Sequence, residues 1–225
     1  MSWQRARDPD QKALRRRAIL DAAAELFVEK GFEPAALSDI ARRAGMAKAN
    51  LYRYFESKES IFFELYREDL AEWIEEAERR LEPLAGSGDV EVAAGTLADS
   101  LAERARLINL IAMSAAALER NVSLSSLVAF KLELVAFLKR LVGVLGAALP
   151  GREEEELIQV LLIVNGLVAG LWSVTNPSPT MEAAFADPRL HLLKLDFQGV
   201  LRRTLVSLLM GCGGAGIRRG GSPST

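Results

Sequence analysis

The stretch that most constrains the fold is residues 37–55, Leu-Ser-Asp-Ile-Ala-Arg-Arg-Ala-Gly-Met-Ala-Lys-Ala-Asn-Leu-Tyr-Arg-Tyr-Phe. Its pattern predicts two short helices separated by a tight turn at Gly45, with the small Ala41 where the helices approach each other. The positions expected to face a shared core are Ile40, Ala44, Met46, Leu51 and Tyr54. This arrangement predicts a helix-turn-helix, a motif whose second helix lies in the DNA major groove.

The predicted second helix turns a largely polar set outward, namely Lys48, Ala49, Asn50, Tyr52 and Arg53. Base edges would be read by Ala47, Lys48, Ala49, Asn50 and Arg53. Lysine suits guanine, asparagine suits adenine, and an alanine methyl group packs on the methyl group of thymine. Arg42 and Arg43 lie on the first helix of the motif, which crosses the DNA backbone, and at least one of them is expected to contact phosphate. Solvated surface charge is the alternative interpretation of Arg53, whereas Tyr54 and Phe55 are expected to be core residues.

The net charge of −2 hides an asymmetry along the chain. Residues 1–58 hold 12 Lys/Arg against 8 Asp/Glu, a net charge of +4, and the remainder holds 16 against 22, a net charge of −6. A basic head on an acidic body concentrates the attraction for phosphate at one end. Part of the basic charge lies near the N-terminus, where Arg5, Arg7, Lys12, Arg15, Arg16 and Arg17 form either a minor-groove arm or a solubilising tail.

Composition excludes several classes of site. The single cysteine, Cys212, allows neither a disulfide framework nor a multi-cysteine metal site. The single histidine, His191, leaves almost no material for a histidine metal site or a Ser–His triad and is more simply a partly exposed helix residue. No phosphate-binding glycine loop is present. We therefore expect no metal, no cofactor and no enzymatic activity.

Hydrophobic periodicity predicts an all-α protein, since no stretch alternates like a strand. Ser57 is expected to cap a long helix, and residues 90–118 form one helix or two. A short helix is expected over 181–186. The longer predicted helices run over residues 10–30, 58–82, 124–148, 153–175 and 189–210. The predicted organisation is an arm and three-helix DNA-binding head over 1–57, a helical body over 58–212 and a flexible tail over 213–225.

One segment has the length and composition of a membrane span. From Leu157 to Met181 there is no charged residue. Glutamates precede the segment, neither flank has a strong Lys/Arg bias, and a helix buried on two sides in a soluble protein gives the same pattern. We favour the buried helix, with Gly166 and Gly170 allowing another helix to approach. With the last helix it would form half of a four-helix dimer interface.

The N-terminal residues do not have the apolar segment of a signal peptide, which favours the cytoplasm.

The order of motifs between Ala18 and Ile61 resembles the tetracycline-repressor (TetR) family of bacterial transcription regulators. The matching blocks are Ala22-Ala23, Leu26-Phe27, Gly31-Phe32, Asp39-Ile40-Ala41, Ala44-Gly45-Met46, Leu51-Tyr52-Arg53-Tyr54-Phe55 and Ser57-Lys58-Glu59. The resemblance implies a homodimer on an inverted-repeat operator of double-stranded DNA, with phosphate contacts from Tyr52 and Lys58. It also implies a C-terminal domain that holds a small-molecule pocket and the dimer interface.

The chain departs from this family just before the second helix. Members commonly carry Thr or Ser there, whereas this chain has Ala35 and Ala36, which can neither cap a helix nor touch phosphate through a hydroxyl group. We expect Ser38 to cap instead, so that the helix starts slightly later.

The expected effector is a small, largely apolar molecule whose binding releases the operator. Candidate pocket residues are Met113, Phe130, Phe137, Asn165, Trp172 and Phe185, for which ordinary packing is the alternative. Asn165, with Gln159, is a polar residue within an apolar helix, and such groups need partners. Two other hypotheses stay open: a regulator without an effector, and a helical module that recruits a different protein.

Overall fold

The computed structural model describes residues 9–114 and 122–212, and every regular element in those ranges is helical. The predicted all-α fold is therefore confirmed. Short 3-10 turns lie at Glu82–Leu84 and Pro188–Leu193. The α-helices are α1 (Pro9–Lys30), α2 (Leu37–Arg43), α3 (Lys48–Leu51), α4 (Lys58–Leu81), α5 (Val90–Ala102), α6 (Ala105–Ser114), α7 (Leu124–Ala148), α8 (Glu154–Thr175), α9 (Pro179–Ala184) and α10 (Phe197–Gly211).

The chain divides into two compact units that do not follow chain order. The first combines Met1–Ala71 with Met113–Leu134, and the second combines Glu72–Ala112 with Val135–Thr225. The division falls within α4 and within α7, so each of these long helices contributes to both units. The domain boundary expected after residue 57 stays a prediction. The expectations for Arg5, Arg7 and the tail over 213–225 fall outside the described residues.

Several helix ends follow from local sequence chemistry. The Ser57 hydroxyl accepts a hydrogen bond from the Ser60 amide at 3.1 Å, and the Ser60 hydroxyl accepts one from the Ser57 amide at 3.1 Å. This reciprocal cap satisfies two amides at the start of α4 and confirms the cap predicted at Ser57. Gly31 ends α1 with φ of 76°, a left-handed conformation that favours glycine.

The core of the first unit is aromatic and aliphatic. The Phe62 side chain on α4 is fully buried, with its ring centroid 5.4 Å from that of Phe27 and 5.0 Å from that of Phe32. Such tilted and edge-on ring pairs add to the free energy gained from burial. The packing joins α4 to α1 and to the loop that leads into α2.

The second unit is built around α10, which packs against α5 and α8. Leu201, Leu205 and Leu209 form its buried stripe at helical spacing. Trp73, at the end of α4 that belongs to this unit, has a buried indole N–H group. Its Nε1 donates a hydrogen bond to the Ser100 hydroxyl at 3.1 Å. This hydrogen bond lets the indole ring be buried without leaving an unpaired donor.

Two expected helix boundaries were wrong. α2 begins at Leu37 with Ala36 in the cap position and no side-chain cap, so Ser38 does not delay the helix. The last α-helix begins at Phe197 and not near residue 189, because the Asp196 carboxylate accepts from the Gly199 amide at 2.8 Å and caps a new helix. The residues before it, which include Leu192, form an exposed 3-10 turn. Within 90–114 the chain forms two helices, one of the two alternatives.

Helix α8 is the one described helix that is long and apolar enough to cross a membrane, and only 33% of its most apolar window is buried in the single chain. One face packs inward through Leu157, Val164 and Val168, and the other exposes Ile163 and Val174. Burial on two sides is therefore not reached within one copy of the chain.

Candidate nucleic-acid interface

The turn between α2 and α3 has the tight geometry expected at Gly45. Gly45 has φ of 67°, and the next amide, that of Met46, donates to the Ala41 carbonyl at 2.9 Å. Ile40 on α2 and Leu51 on α3 are both fully buried beneath the turn. These two anchors fix the angle of α3, so its other faces stay free of the core.

The exposed face of α3 and the residues directly before and after it carry the side chains expected to read DNA. Ala47, Lys48, Ala49, Asn50 and Arg53 are exposed, and Tyr52 is 51% exposed. No ion pair joins Lys48 or Arg53 to another described residue. Phe55 is buried, as predicted for a core residue, whereas Tyr54, which was also expected in the core, is half-buried. A short amphipathic helix whose polar groups face water can enter a major groove while its apolar residues stay in the core of the protein.

The two arginines of α2 differ in how strongly the protein holds them. Arg43 forms a bidentate pair with Glu29, with N–O distances of 2.6 and 2.9 Å, which lowers the pKa of that carboxyl. Arg42 is 80% exposed and makes a single contact of 3.0 Å with Asp39, which Lys30 also contacts at 2.8 Å. To bind Arg43, a phosphate would have to displace the bidentate Glu29 carboxylate, whereas for Arg42 it would have to displace only the single contact with Asp39. Arg42 is the better candidate for a backbone contact.

Lys58 is engaged within the protein. Its ammonium group donates to the Phe32 carbonyl at 3.0 Å and to the Glu33 carbonyl at 3.4 Å, and it lies 3.9 Å from the centroid of the Phe32 ring. Lys58 therefore ties the start of α4 to the loop after α1. Its phosphate contact stays a prediction, and loss of this side chain would also disturb the loop.

Arg16 is a residue that sequence reasoning assigned to an N-terminal arm. The structure places it on α1, where it donates to the Tyr54 carbonyl at 3.2 Å and pairs with Glu64 at 3.0 Å. Its guanidinium also lies 4.3 Å from the centroid of the Phe55 ring. Arg17, Arg15 and Lys12 are helical as well, so the expectation of a loose arm fails from residue 9 onward. The signal that could have found Arg16 was its position on the predicted helix over 10–30.

The six candidate pocket residues are divided between the two units. Met113 and Phe130 belong to the first unit, and the other four belong to the second. Phe130 and Phe185 are buried, Asn165 is exposed on α8, and the Trp172 ring packs edge-on against Phe197 at 5.8 Å. For Trp172 this contact is the ordinary packing named as the alternative. Their role in binding a ligand stays a prediction.

The interface holds groups suited to recognition. Among residues 9–114 and 122–212 no cluster of three or more His, Cys, Asp or Glu side chains is arranged to hold a metal ion. The surface formed by α2 and α3 offers amide, phenol, ammonium and guanidinium donors. These groups bind phosphates and base edges.

Two family profiles match nearly the whole chain. The profile described as "Bacterial regulatory proteins, tetR family" covers residues 19–65, and "Tetracyclin repressor-like, C-terminal domain" covers residues 67–215.

Curated relatives match over shorter segments. The fatty acid metabolism regulator protein of Bacillus subtilis (strain 168) is 36% identical over 75 residues, which is 33% of this chain and 39% of that protein. The HTH-type transcriptional repressor KstR2 of Rhodococcus jostii (strain RHA1) is 44% identical over 62 residues, 28% of this chain and 30% of that protein. The aligned segments therefore span well under half of either relative.

Solved structures share the fold over most of the chain. FadR of Thermus thermophilus, a TetR family transcriptional repressor in complex with lauroyl-CoA, superposes with a TM-score of 0.60 at 22% identity, covering 93% of this chain and 100% of that one. The fatty acid degradation regulator FadR of Bacillus halodurans gives a TM-score of 0.57 at 19% identity, covering 91% and 96%. Because family profiles match both the helix-turn-helix and the helical body, the chain belongs to the TetR family of bacterial transcriptional regulators, and it is a DNA-binding regulator and not an enzyme.

Proposed function

We propose that this protein is a cytoplasmic repressor that binds an inverted-repeat operator as a homodimer and is released by a small, largely apolar effector. The observation that carries the proposal is the surface of α3 and of the turn after it, where Lys48, Asn50 and Arg53 face water and Leu51 is buried. A regulator of this family needs such a surface to read DNA.

Positioning and reading of DNA are divided between side chains in this proposal. Tyr52 and Arg42 contact phosphates, which set the register of the protein on the duplex. Lys48 and Asn50 contact base edges, and the methyl groups of Ala47 and Ala49 contact thymine. Phosphate contacts are insensitive to sequence, whereas base contacts carry the preference.

The division predicts different outcomes for two substitutions. We expect Tyr52→Phe to weaken binding to many sequences alike, because it removes one phosphate donor. We expect Asn50→Ala to relax the preference at one base position in each half-site, at a cost of about 1–3 kcal/mol on the preferred site. Selection of bound genomic fragments by wild-type and variant proteins, followed by titration at several salt concentrations, measures both. Equal, uniform losses in the two variants would contradict the division.

The homodimer is supported by the outer face of α8. Ile163, Gly166, Gly170 and Val174 form a stripe of apolar or small residues, and all four are exposed in the single chain. Adding a Cβ atom at Gly166 or Gly170 meets no described atom within 4 Å, so another helix has room to approach. A second copy related by a two-fold axis would cover the stripe on both chains. It would set two copies of α3 about 34–36 Å apart, one turn of DNA.

An acyl-CoA, in which the fatty acyl chain would be the apolar part that the protein binds, is the first effector to test. Two structures that share this fold contain one, lauroyl-CoA in FadR of Thermus thermophilus and stearoyl-CoA in FadR of Bacillus subtilis. An effector shifts operator affinity only by its differential affinity for the two arrangements of the protein. The long helix α4 begins directly after the helix-turn-helix and continues into the second unit, so a change in its position moves α3.

We expect lauroyl-CoA to release the protein from its selected operator. By linkage, DNA should weaken lauroyl-CoA binding by the same factor, about 5–150-fold for typical couplings. Fluorescence anisotropy of labelled operator measures the first effect, and calorimetry with and without operator measures the second. Free coenzyme A is the control. Release by coenzyme A alone, or no release by lauroyl-CoA, would contradict an acyl effector.

A further inference from the structure

A cleft of about 360 Å³ lies within the first unit. Its walls come from α1, from Tyr54–Glu56 directly after α3, and from the first halves of α4 and α7. The side chains that determine its chemistry are Arg16, Phe63, Glu64, Arg67, Phe130 and Glu133. A cleft of this size accommodates a small organic molecule.

One side of the cleft is aromatic. The ring centroids of Phe63 and Phe130 are 4.5 Å apart, and each side chain is only 6% exposed. Tyr66 packs behind Phe130 with ring centroids 5.2 Å apart. This fixed cluster offers a ready apolar surface to a flat ligand, because packing already holds the rings in place.

The charges that line the cleft do not balance. Three carboxylates, those of Glu56, Glu64 and Glu133, face two guanidinium groups, those of Arg16 and Arg67. Glu64 is well neutralised, since Arg16 contacts it at 3.0 Å and Arg67 also pairs with it. The excess negative charge is therefore not at Glu64.

Of the two cleft carboxylates that form ion pairs, Glu133 has the longer one, and the third, Glu56, accepts a hydrogen bond from the Ser123 amide at 3.3 Å. Oε1 of Glu133 accepts from Arg67 Nη1 at 3.4 Å, a long contact from a guanidinium that Glu64 shares. Its Oε2 is buried and has no hydrogen-bond partner among the described residues, and the same holds for Nε of Arg67. An unpaired buried carboxylate oxygen costs free energy, which an N–H donor would recover. The terminal torsion of glutamate is soft, so rotation can turn this oxygen toward the cleft.

We propose that the cleft binds a small aromatic cation, an amine or amidine whose N–H groups pair with Glu133 while its ring lies against Phe63 and Phe130. The ligand differs in class from the proposed apolar effector, and the cleft includes Phe130, one of the six candidate pocket residues. A ligand here would touch the segment directly behind the recognition helix. Arg16, which already holds the Tyr54 carbonyl, forms the adjoining wall.

The test compares three ligands of nearly equal shape and different charge. Benzamidine is a cation, benzamide is neutral and benzoate is an anion. We expect isothermal titration of the full-length protein to show one benzamidine bound per chain, with benzamide and benzoate at least about tenfold weaker, because a charge-assisted hydrogen bond and its ion pair are lost.

Two variants with the same change in charge locate the site. Glu133→Gln should weaken benzamidine binding by about tenfold or more, whereas Glu155→Gln, at an exposed position on α8, should leave it unchanged. Glu133→Asp, which keeps the charge on a shorter side chain, should bind with intermediate affinity. Far-ultraviolet circular dichroism checks that all three variants are folded.

Binding of benzamide as tight as that of benzamidine would overturn the proposal. Undiminished binding of benzamidine to Glu133→Gln would also overturn it, as would no detectable binding at millimolar concentration. The titration contains no DNA and no acyl-CoA. Its outcome is therefore independent of the operator and of the proposed effector.

Discussion

Replacing Ile163 with arginine is expected to separate the dimer and to remove most operator binding. Ile163 is 54% exposed on the face of α8 that the proposed second copy covers. Two-fold symmetry places the new guanidinium in the interface of both chains, where its charge would lose water without gaining a partner. The resulting monomer then binds one half-site, without the second DNA-binding domain that the dimer places on the other half-site. Its affinity for the operator is expected to fall by about 100-fold or more. Sedimentation and operator titration measure the two effects.

The matched control is Leu132→Arg on α7. Leu132 is 65% exposed, and the substitution adds the same charge at an exposed apolar position on another helix. We expect this variant to remain dimeric and to bind the operator. A dimer that survives Ile163→Arg would place the interface elsewhere. A wild-type protein that is monomeric at every concentration would favour the module that recruits a different protein.

Replacing Phe62 with alanine is expected to give the largest loss of stability. Phe62 is fully buried between Phe27 and Phe32, with ring centroids about 5 Å away on both sides. Truncation removes these ring contacts and leaves a cavity, at a cost of about 3–5 kcal/mol in the free energy of unfolding. Urea unfolding followed by far-ultraviolet circular dichroism measures the change, and the operator affinity of the folded fraction should fall with it.

Val28→Ala is the control for this loss. Val28 lies on α1 near Phe27, but its side chain is 75% exposed, and surface substitutions of this kind usually change stability by less than about 0.5 kcal/mol. If Phe62→Ala lowers the free energy of unfolding no more than Val28→Ala does, the surrounding residues close the cavity around the alanine. The aromatic cluster would then not be what holds α4 to α1.

The helix-turn-helix could be predicted from sequence because its constraints are local. Gly45 supplies a left-handed turn, Ile40 and Leu51 supply the anchors, and the polar face of α3 lies opposite Leu51. The cap at Ser57 has the same local origin. Each of these features depends on residues a few positions apart, for which spacing along the chain determines position in space.

The features that sequence reasoning missed depend on distant residues or on competing local signals. Arg16 contacts Tyr54 and Glu64, and its distance from them in sequence conceals this role. The start of α10 was misplaced because Leu192 and its apolar neighbours continue a helical pattern, although Asp196 stops and restarts the helix. Helix α8 was expected to be buried on two sides, and one copy of the chain supplies only one of them.

The placement of Trp73 and Tyr66 on the two sides of the division within α4 gives the protein two separate optical reporters. The described tryptophans, Trp73 and Trp172, both belong to the second unit, and all three tyrosines, Tyr52, Tyr54 and Tyr66, belong to the first. In a Trp3→Phe variant, which removes the third tryptophan, indole emission follows the melting of the second unit, whereas the tyrosine bands of near-ultraviolet dichroism include the first. If the two signals change at different urea concentrations, the two units unfold in separate steps. The boundary between the two cooperative units would then lie within α4.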